Sequence, residues 1–158
     1  PEENNEEAGE HWTPRDVVEL MADLAFYPVE DQIKDATYSC YDGACGTGGM
    51  LTVAQARLLK LAAKQREKVS IHLFGQEINP ETYAICKADM LLKGDGEEAE
   101  HIAYGSTLSL DGNPSRQFDF MLSNPPYGKS WKPMPTNWVA KMKSSIPASI
   151  PTCRAGNC

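Results

Sequence analysis

Long apolar runs are missing from this chain: no stretch approaches the roughly 18 residues that a membrane-spanning helix needs. The first residues are acidic, where a secretory leader would be basic and then apolar. The expectation is a soluble, cytoplasmic protein with no membrane partner. Cysteine pairing patterns are also missing. The five cysteines include no C-x-x-C pair and have no histidine at a zinc-ligand spacing, so neither a structural metal nor a disulfide framework is expected. Cys45 and Cys86 read instead as small buried side chains. Basic residues are short overall, 15 Lys and Arg against 22 Asp and Glu for a net charge of -7. On its face that argues against a nucleic-acid partner, since phosphate binding wants a basic surface. The distribution weakens the objection: residues 1–31 hold ten acids and only Arg15, whereas residues 32–158 hold twelve acids and fourteen bases. What is present is ordinary. With 41% apolar and 23% charged residues over 158 positions, the chain has the balance and length of one globular domain.

Residues 1–10 are polar and acidic without a period, and read as a flexible arm. Thr13 as N-cap, Pro14 at the first helical position and Asp16 in the first turn predict a helix over 13–27. Its apolar stripe would be Val17, Val18, Leu20, Met21, Leu24 and Ala25. Residues 37–41 are rich in β-formers and run into Asp42-Gly43-Ala44-Cys45-Gly46-Thr47-Gly48-Gly49, after which 50–65 is strongly helical. This is strand, glycine loop, helix. Residues 69–74 predict a second strand closed by Gly75-Gln76-Glu77, with a carboxylate just past its carboxyl end. Asn79-Pro80 repeats the capping logic before a helix over 82–93 that Gly94 ends, and the acidic run 95–100 reads as a solvated loop. Short strands follow at 102–104, leading into Gly105-Ser106-Thr107, and at 118–123, leading into Asn124-Pro125-Pro126-Tyr127-Gly128. The alternation argues for an α/β fold with a mainly parallel sheet. In such sheets ligands bind outside the carboxyl ends of the strands, and every loop named here follows a strand.

The glycine loop matches neither common phosphate-binding pattern. No Lys follows Gly48 or Gly49 as a P-loop requires, and position 51 is Leu51 where the dinucleotide pattern begun at Gly46 needs Gly. It suits a nucleoside-like ligand with less emphasis on phosphate, or a tight structural turn. Glu77, ending the next strand, stands where a carboxylate would accept from both hydroxyls of a ribose. Asn124-Pro125-Pro126-Tyr127 is the sharpest feature. The Asn side-chain oxygen and the Pro125 carbonyl are two acceptors, proline fixes their direction, and Tyr127 offers a stacking face. Together they describe a clamp for an exocyclic amino group on a flipped planar base.

With these segments in order, the chain resembles the modification (methyltransferase) subunit of type I restriction-modification systems, adenine-specific DNA methyltransferases that use S-adenosylmethionine. The resemblance covers roughly residues 9–132 and is carried by Gly9-Glu10-His11-Trp12-Thr13-Pro14-Arg15-Asp16-Val17-Val18, Asp42 to Leu51, Gly75 to Ala84, Gly105 to Leu108, Phe118-Asp119 and Ser123 to Gly128. It implies a Rossmann-like S-adenosylmethionine-dependent methyltransferase fold. It also implies that His11, Trp12, Thr13, Pro14 and Arg15, with Thr47, Gly48 and Gly49, line the methionine and nucleoside parts of the cofactor. Asp42, Gly46 and Ser106 complete that set, Glu77 holds the ribose, and Asn124, Pro125, Pro126 and Tyr127 form the catalytic clamp. No metal is implied. DNA is the implied substrate, with specificity (S) and restriction (R) subunits as partners.

Ser106 stands where the family usually has Asp or Asn, so the hydrogen bond to the cofactor's adenine amino group must come from elsewhere or from Ser106 itself. Gly43 replaces a frequent Pro. Residues 133–158 are proline-rich and match none of the strands that complete such a sheet. The expected organisation is therefore an acidic arm (1–10), a partial catalytic core (11–132) and an atypical tail (133–158), incomplete at the carboxyl half of the fold. Two other readings stand beside transfer to adenine. One is a truncated, inactive cofactor-binding or assembly fragment; the other is a protein glutamine-amide methyltransferase, since the same clamp fits a side-chain amide.

Overall fold

Among the described residues, four parallel strands carry the fold: β1 (Ala36–Asp42), β2 (Val69–Glu77), β3 (Ile102–Tyr104) and β4 (Phe120–Met121), in the order β3-β2-β1-β4. The computed structural model describes residues 13–93 and 96–126. The expected arm at 1–10, His11, Trp12, Tyr127 and the expected tail at 133–158 lie outside them. The helices are α1 (Arg15–Phe26), α2 (Gly49–Gln65), α3 (Pro80–Lys93) and the single turn α4 (Glu97–Glu100), with a 3-10 segment at Tyr27–Gln32. The chain adds β2 and β3 to one side of β1 and then returns to place β4 on the other side. The strand order therefore reverses between β1 and β4, the crevice where open α/β sheets take their ligands.

Register explains the two faces. Cys40 lies opposite Leu73, and Tyr38 opposite Ile71. These side chains enter one cluster with Val18, Ala22 and Phe26 of α1, Leu51, Ala54 and Leu58 of α2, and Cys86 and Met90 of α3. Alternate positions on the strands face the other way, where Tyr41 stacks on Phe118 at 4.6 Å and Phe74 stacks on His101 at 4.2 Å. Both faces of β1 and β2 are covered, as a parallel sheet requires. A fully buried Phe such as Phe26, 1% exposed, is worth about 2–3 kcal/mol of apolar transfer. Its ring meets Phe120 edge-on at 4.8 Å, which ties α1 to β4. Asp23 and Arg57 form a two-point ion pair that fastens α1 to α2.

Several expectations are corrected. Pro14, not Thr13, is the N-cap of α1, and no side chain caps it. The buried row is Val18, Ala22 and Phe26, spaced by four, whereas Val17, Leu20 and Leu24 are exposed. Gly75-Gln76-Glu77 is not a closing turn: the three residues continue β2 and pair with Ile102, Ala103 and Tyr104. Of the acidic run, Glu97–Glu100 is a helical turn with Ala99 buried, because Glu98 accepts the Leu73 N–H at 2.8 Å. The last strand is paired only at Phe120 and Met121; Asp119 leaves the ladder and instead accepts from Ser39 N and Oγ at 2.8 and 2.7 Å. Asn79 behaves as expected, its Oδ1 accepting from Glu81 N and Thr82 N at the start of α3. Among the described residues no helix is long and apolar enough to cross a membrane.

Candidate functional site

The carboxyl ends of the strands bring together most of the residues that the sequence singles out. Asp42 ends β1, Glu77 ends β2, Ser106 follows β3 and Asn124 follows β4. The glycine loop lies between β1 and α2. Gly46 and Gly48 have φ of +54° and +83°, a region that residues with a side chain rarely adopt. A Cβ on Gly48 would lie 2.7 Å from Met90 Cε and 2.9 Å from Cys86 Sγ, so the absence of a side chain lets the loop sit on α3. A Cβ on Gly46 or Gly49 would meet nothing within 4 Å, so the loop's outer side is open. The loop is pinned by Cys45 N donating to Gln76 O at 3.1 Å and Gly48 N donating to Cys45 O at 2.8 Å.

Glu77 organises the two ends of this loop region. Its Oε2 accepts from Gly46 N at 2.8 Å and its Oε1 from Asn79 N at 2.7 Å, and the side chain is largely buried. Two of a carboxylate's approximately four acceptor sites are thus filled by backbone, and the others remain for hydroxyl donors. Asp42 is buried at 1% exposure. Burial pushes its carboxyl up to about 6; the Ala44 N–H and the Ser123 hydroxyl oppose that rise, and the charge on Glu77 adds to it. Beneath the loop, the Cys45 thiol is pushed far up, first by its hydrogen bond with Cys86 and then by burial, while that bond draws Cys86 down. Both are free thiols and buried, as expected.

The segment expected to form the clamp is tied to β1 and to Thr13, just before α1. Leu122 N donates to Tyr41 O at 3.0 Å, and the Ser123 hydroxyl bonds Asp42. Asn124 is exposed, and its Nδ2 donates to Thr13 Oγ1 at 3.0 Å. With the NH2 end of the amide engaged, its oxygen is the end left to accept. Pro125 and Pro126 follow, also exposed. Thr13 therefore sits beside Asn124. Pro14 caps α1, and Arg15 is exposed and pairs with Glu19 at 3.1 Å. Thr47 and Gly49 are exposed on the loop, and Ser106 is partly buried with its carbonyl accepting from Leu110 N at 2.8 Å.

Sequence reasoning missed Gln76. It is fully buried, donates to Leu110 O at 2.7 Å and accepts from Gly112 N at 3.0 Å, and so fastens the segment after β3 over the sheet. Thr107, whose hydroxyl donates to Gly43 O, joins that segment to the glycine loop. An open depression between Asp35, Thr37, Glu67, Lys68 and Ser70 lies at the opposite, amino end of the strands, away from all of these groups.

A family model described as N-6 DNA methylase matches residues 1–149. The chain is 31% identical over 131 residues to the type I restriction enzyme MpnII methylase subunit of Mycoplasma pneumoniae, covering 78% of this chain and 22% of that protein. It is 27% identical over 153 residues to the MjaIX methylase subunit of Methanocaldococcus jannaschii, covering 94% and 23%. The crystal structure of the type I restriction-modification system methyltransferase subunit from Streptococcus thermophilus superposes with a TM-score of 0.55 at 30% identity, over 75% of this chain and 23% of that one. The chain thus spans between a fifth and a quarter of the length of these relatives.

Proposed function

The chain belongs to the N-6 DNA methylase family, and on that footing we propose that it binds S-adenosylmethionine and transfers a methyl group to the exocyclic amino group of adenine in DNA. We place it as part of a type I modification subunit in the cytoplasm, working with S and R subunits. The observation that carries this reading is the Asn124 amide, anchored through its NH2 to Thr13 beside the reversal in strand order.

The residues present fit the cofactor. Gly46 and Gly49 leave open space over the loop, and Glu77 keeps acceptor capacity for a ribose diol. When bound, S-adenosylmethionine supplies an electrophilic methyl group on a positively charged sulfur. In-line displacement of this kind depends on alignment more than on acid–base chemistry. Asn124 Oδ1 and the Pro125 carbonyl accept from the amino group, and they favour the positive charge that grows on its nitrogen. Pro126 fixes the turn, and Tyr127 provides the stacking face for a flipped base. Asp42 acts through Ser123, holding the clamp segment against the loop. Ser106 and residues 11–15 complete the binding set.

Calorimetric titration with S-adenosylmethionine is expected to give saturable binding that Glu77→Ala weakens. Methyl transfer to unmethylated duplex DNA, measured with and without S and R subunits, is expected to vanish in Asn124→Ala while cofactor binding survives. Unchanged transfer in that variant would refute the clamp. Cofactor binding without transfer to DNA in any mixture would reduce the chain to a cofactor-binding part, and transfer to a glutamine amide would move it to the protein-methylating class.

A further inference from the structure

On the sheet face away from the main core, two imidazoles and one carboxylate converge. His72 lies in β2, Glu98 in α4, and His101 directly before β3. One ligand atom from each lies within 4.8 Å of the other two. His72 Nδ1 is 3.5 Å from Glu98 Oε1, and His101 Nδ1 is 3.6 Å from Glu98 Oε2. Both nitrogens are buried, and neither makes a hydrogen bond among the described residues. A buried imidazole nitrogen without a partner is costly, and two facing the same carboxylate call for a common solution.

Distances decide between an ion pair and coordination. A charge-assisted N–H to O contact settles at about 2.7–2.9 Å, well inside what is seen. Tetrahedral zinc, with Zn–N and Zn–O near 2.0–2.2 Å, holds its ligand atoms about 3.3–3.5 Å apart. Each nitrogen–oxygen separation, from His72 to one oxygen of Glu98 and from His101 to the other, lies within about 0.2 Å of that spacing. Both rings are also held in place: His101 stacks on Phe74 at 4.2 Å and meets the His72 ring edge-on at 5.8 Å. Leu73 N donates to Glu98 Oε2 at 2.8 Å, the kind of outer hydrogen bond that orients a ligating carboxylate. Two imidazoles with one carboxylate favour zinc-like divalent ions over calcium or magnesium, and water would reach a fourth position past the half-exposed His72.

We propose that His72, Glu98 and His101 bind one zinc-type divalent ion. The ion would join β2, the four-residue turn α4 and the start of β3, clipping the edge of the sheet where β3 pairs over three residues. The site stands apart from the glycine loop and the clamp, and it does not depend on the methyltransferase reading.

The test uses the full chain stripped with chelator, in the absence of cofactor and DNA. Zinc titration is expected to give one equivalent bound. Cobalt(II) substitution is expected to give the visible spectrum of a tetrahedral nitrogen and oxygen site without thiolate charge-transfer bands. His72→Ala and His101→Ala are each expected to lower affinity more than about tenfold, the least that loss of a ligand should cost. Glu98→Gln keeps an acceptor for Leu73 N and should fold, yet lose the rise in Tm that zinc gives the parent chain. Failure of the parent chain to bind zinc, a thiolate signature with cobalt, or undiminished affinity in both histidine variants would each overturn the proposal. The cobalt spectrum of the parent chain decides the ligand set even if a variant fails to fold.

Discussion

Asp42 carries a charge that the fold holds at a disadvantage. Its carboxyl rises from 3.8 to about 6 because burial outweighs the Ala44 and Ser123 hydrogen bonds. The folded state therefore holds this proton more tightly than the unfolded chain does. The associated stability is fully present below about pH 4 and is lost as pH rises through about 6, a swing of roughly 3 kcal/mol. Asp42→Asn keeps the acceptor for Ala44 N and is expected to be more stable than the parent at neutral pH. It should also flatten the stability profile between those two values, as read by urea unfolding across the pH range. The two left-handed glycines of the loop between β1 and α2 separate fold from function. Gly48→Ala combines backbone strain with contacts at 2.7 and 2.9 Å and is expected to cost roughly 2–4 kcal/mol. Gly46→Ala meets no neighbour and should cost about 1 kcal/mol, while placing a methyl group where the cofactor would lie. Unfolding curves and cofactor titration on the same two proteins distinguish these outcomes.

At the level of elements, α1 is held by the row Val18, Ala22 and Phe26, by the Asp23–Arg57 ion pair and by one ring contact across to β4. Phe26→Ala removes the largest of them and is expected to destabilise the chain by about 3–5 kcal/mol in urea unfolding. Element identity was legible where an uninterrupted helical stretch stood, as in α2, and where period and cap agreed, as in α3 behind Asn79. It failed where a tertiary partner overrode local chemistry. Gly75-Gln76-Glu77 looks like a turn because glycine and two polar residues punctuate sequences, yet Gln76 is buried with both ends of its amide satisfied from residues 110–112. The acidic run looked solvated because nothing local shows that Glu98 finds a strand N–H 25 residues back. The order of the site loops could be read from motif order, since each follows a strand. The Thr13 to Asn124 bond could not, because 111 residues separate its partners. Likewise, the meeting of His72 with Glu98 and His101 was not legible, because it depends on the pairing of β2 with β3.

Among the described residues, α1 leaves an apolar stripe uncovered. Val17, Leu20 and Leu24 are 42%, 58% and 68% exposed and lie on one helical stripe. Leu20→Glu with Leu24→Glu is expected to change unfolding stability by no more than about 0.5 kcal/mol per site in urea unfolding. The bond between Thr13 and Asn124 has a consequence in time rather than in space. It joins positions near the two ends of the described chain, and Ser39 with Asp119 closes a loop of comparable span. Contacts so distant in sequence carry the largest loop-closure entropy and form late, whereas the pairing of β1 with β2 spans about 33 residues. The segment from Phe120 to Asn124 is thus expected to exchange its amide protons sooner than β2. The proposed transfer activity is then expected to fall at a lower denaturant concentration than the one that unfolds the helices, so that the segment from Phe120 to Asn124 is the last part assembled and the first released.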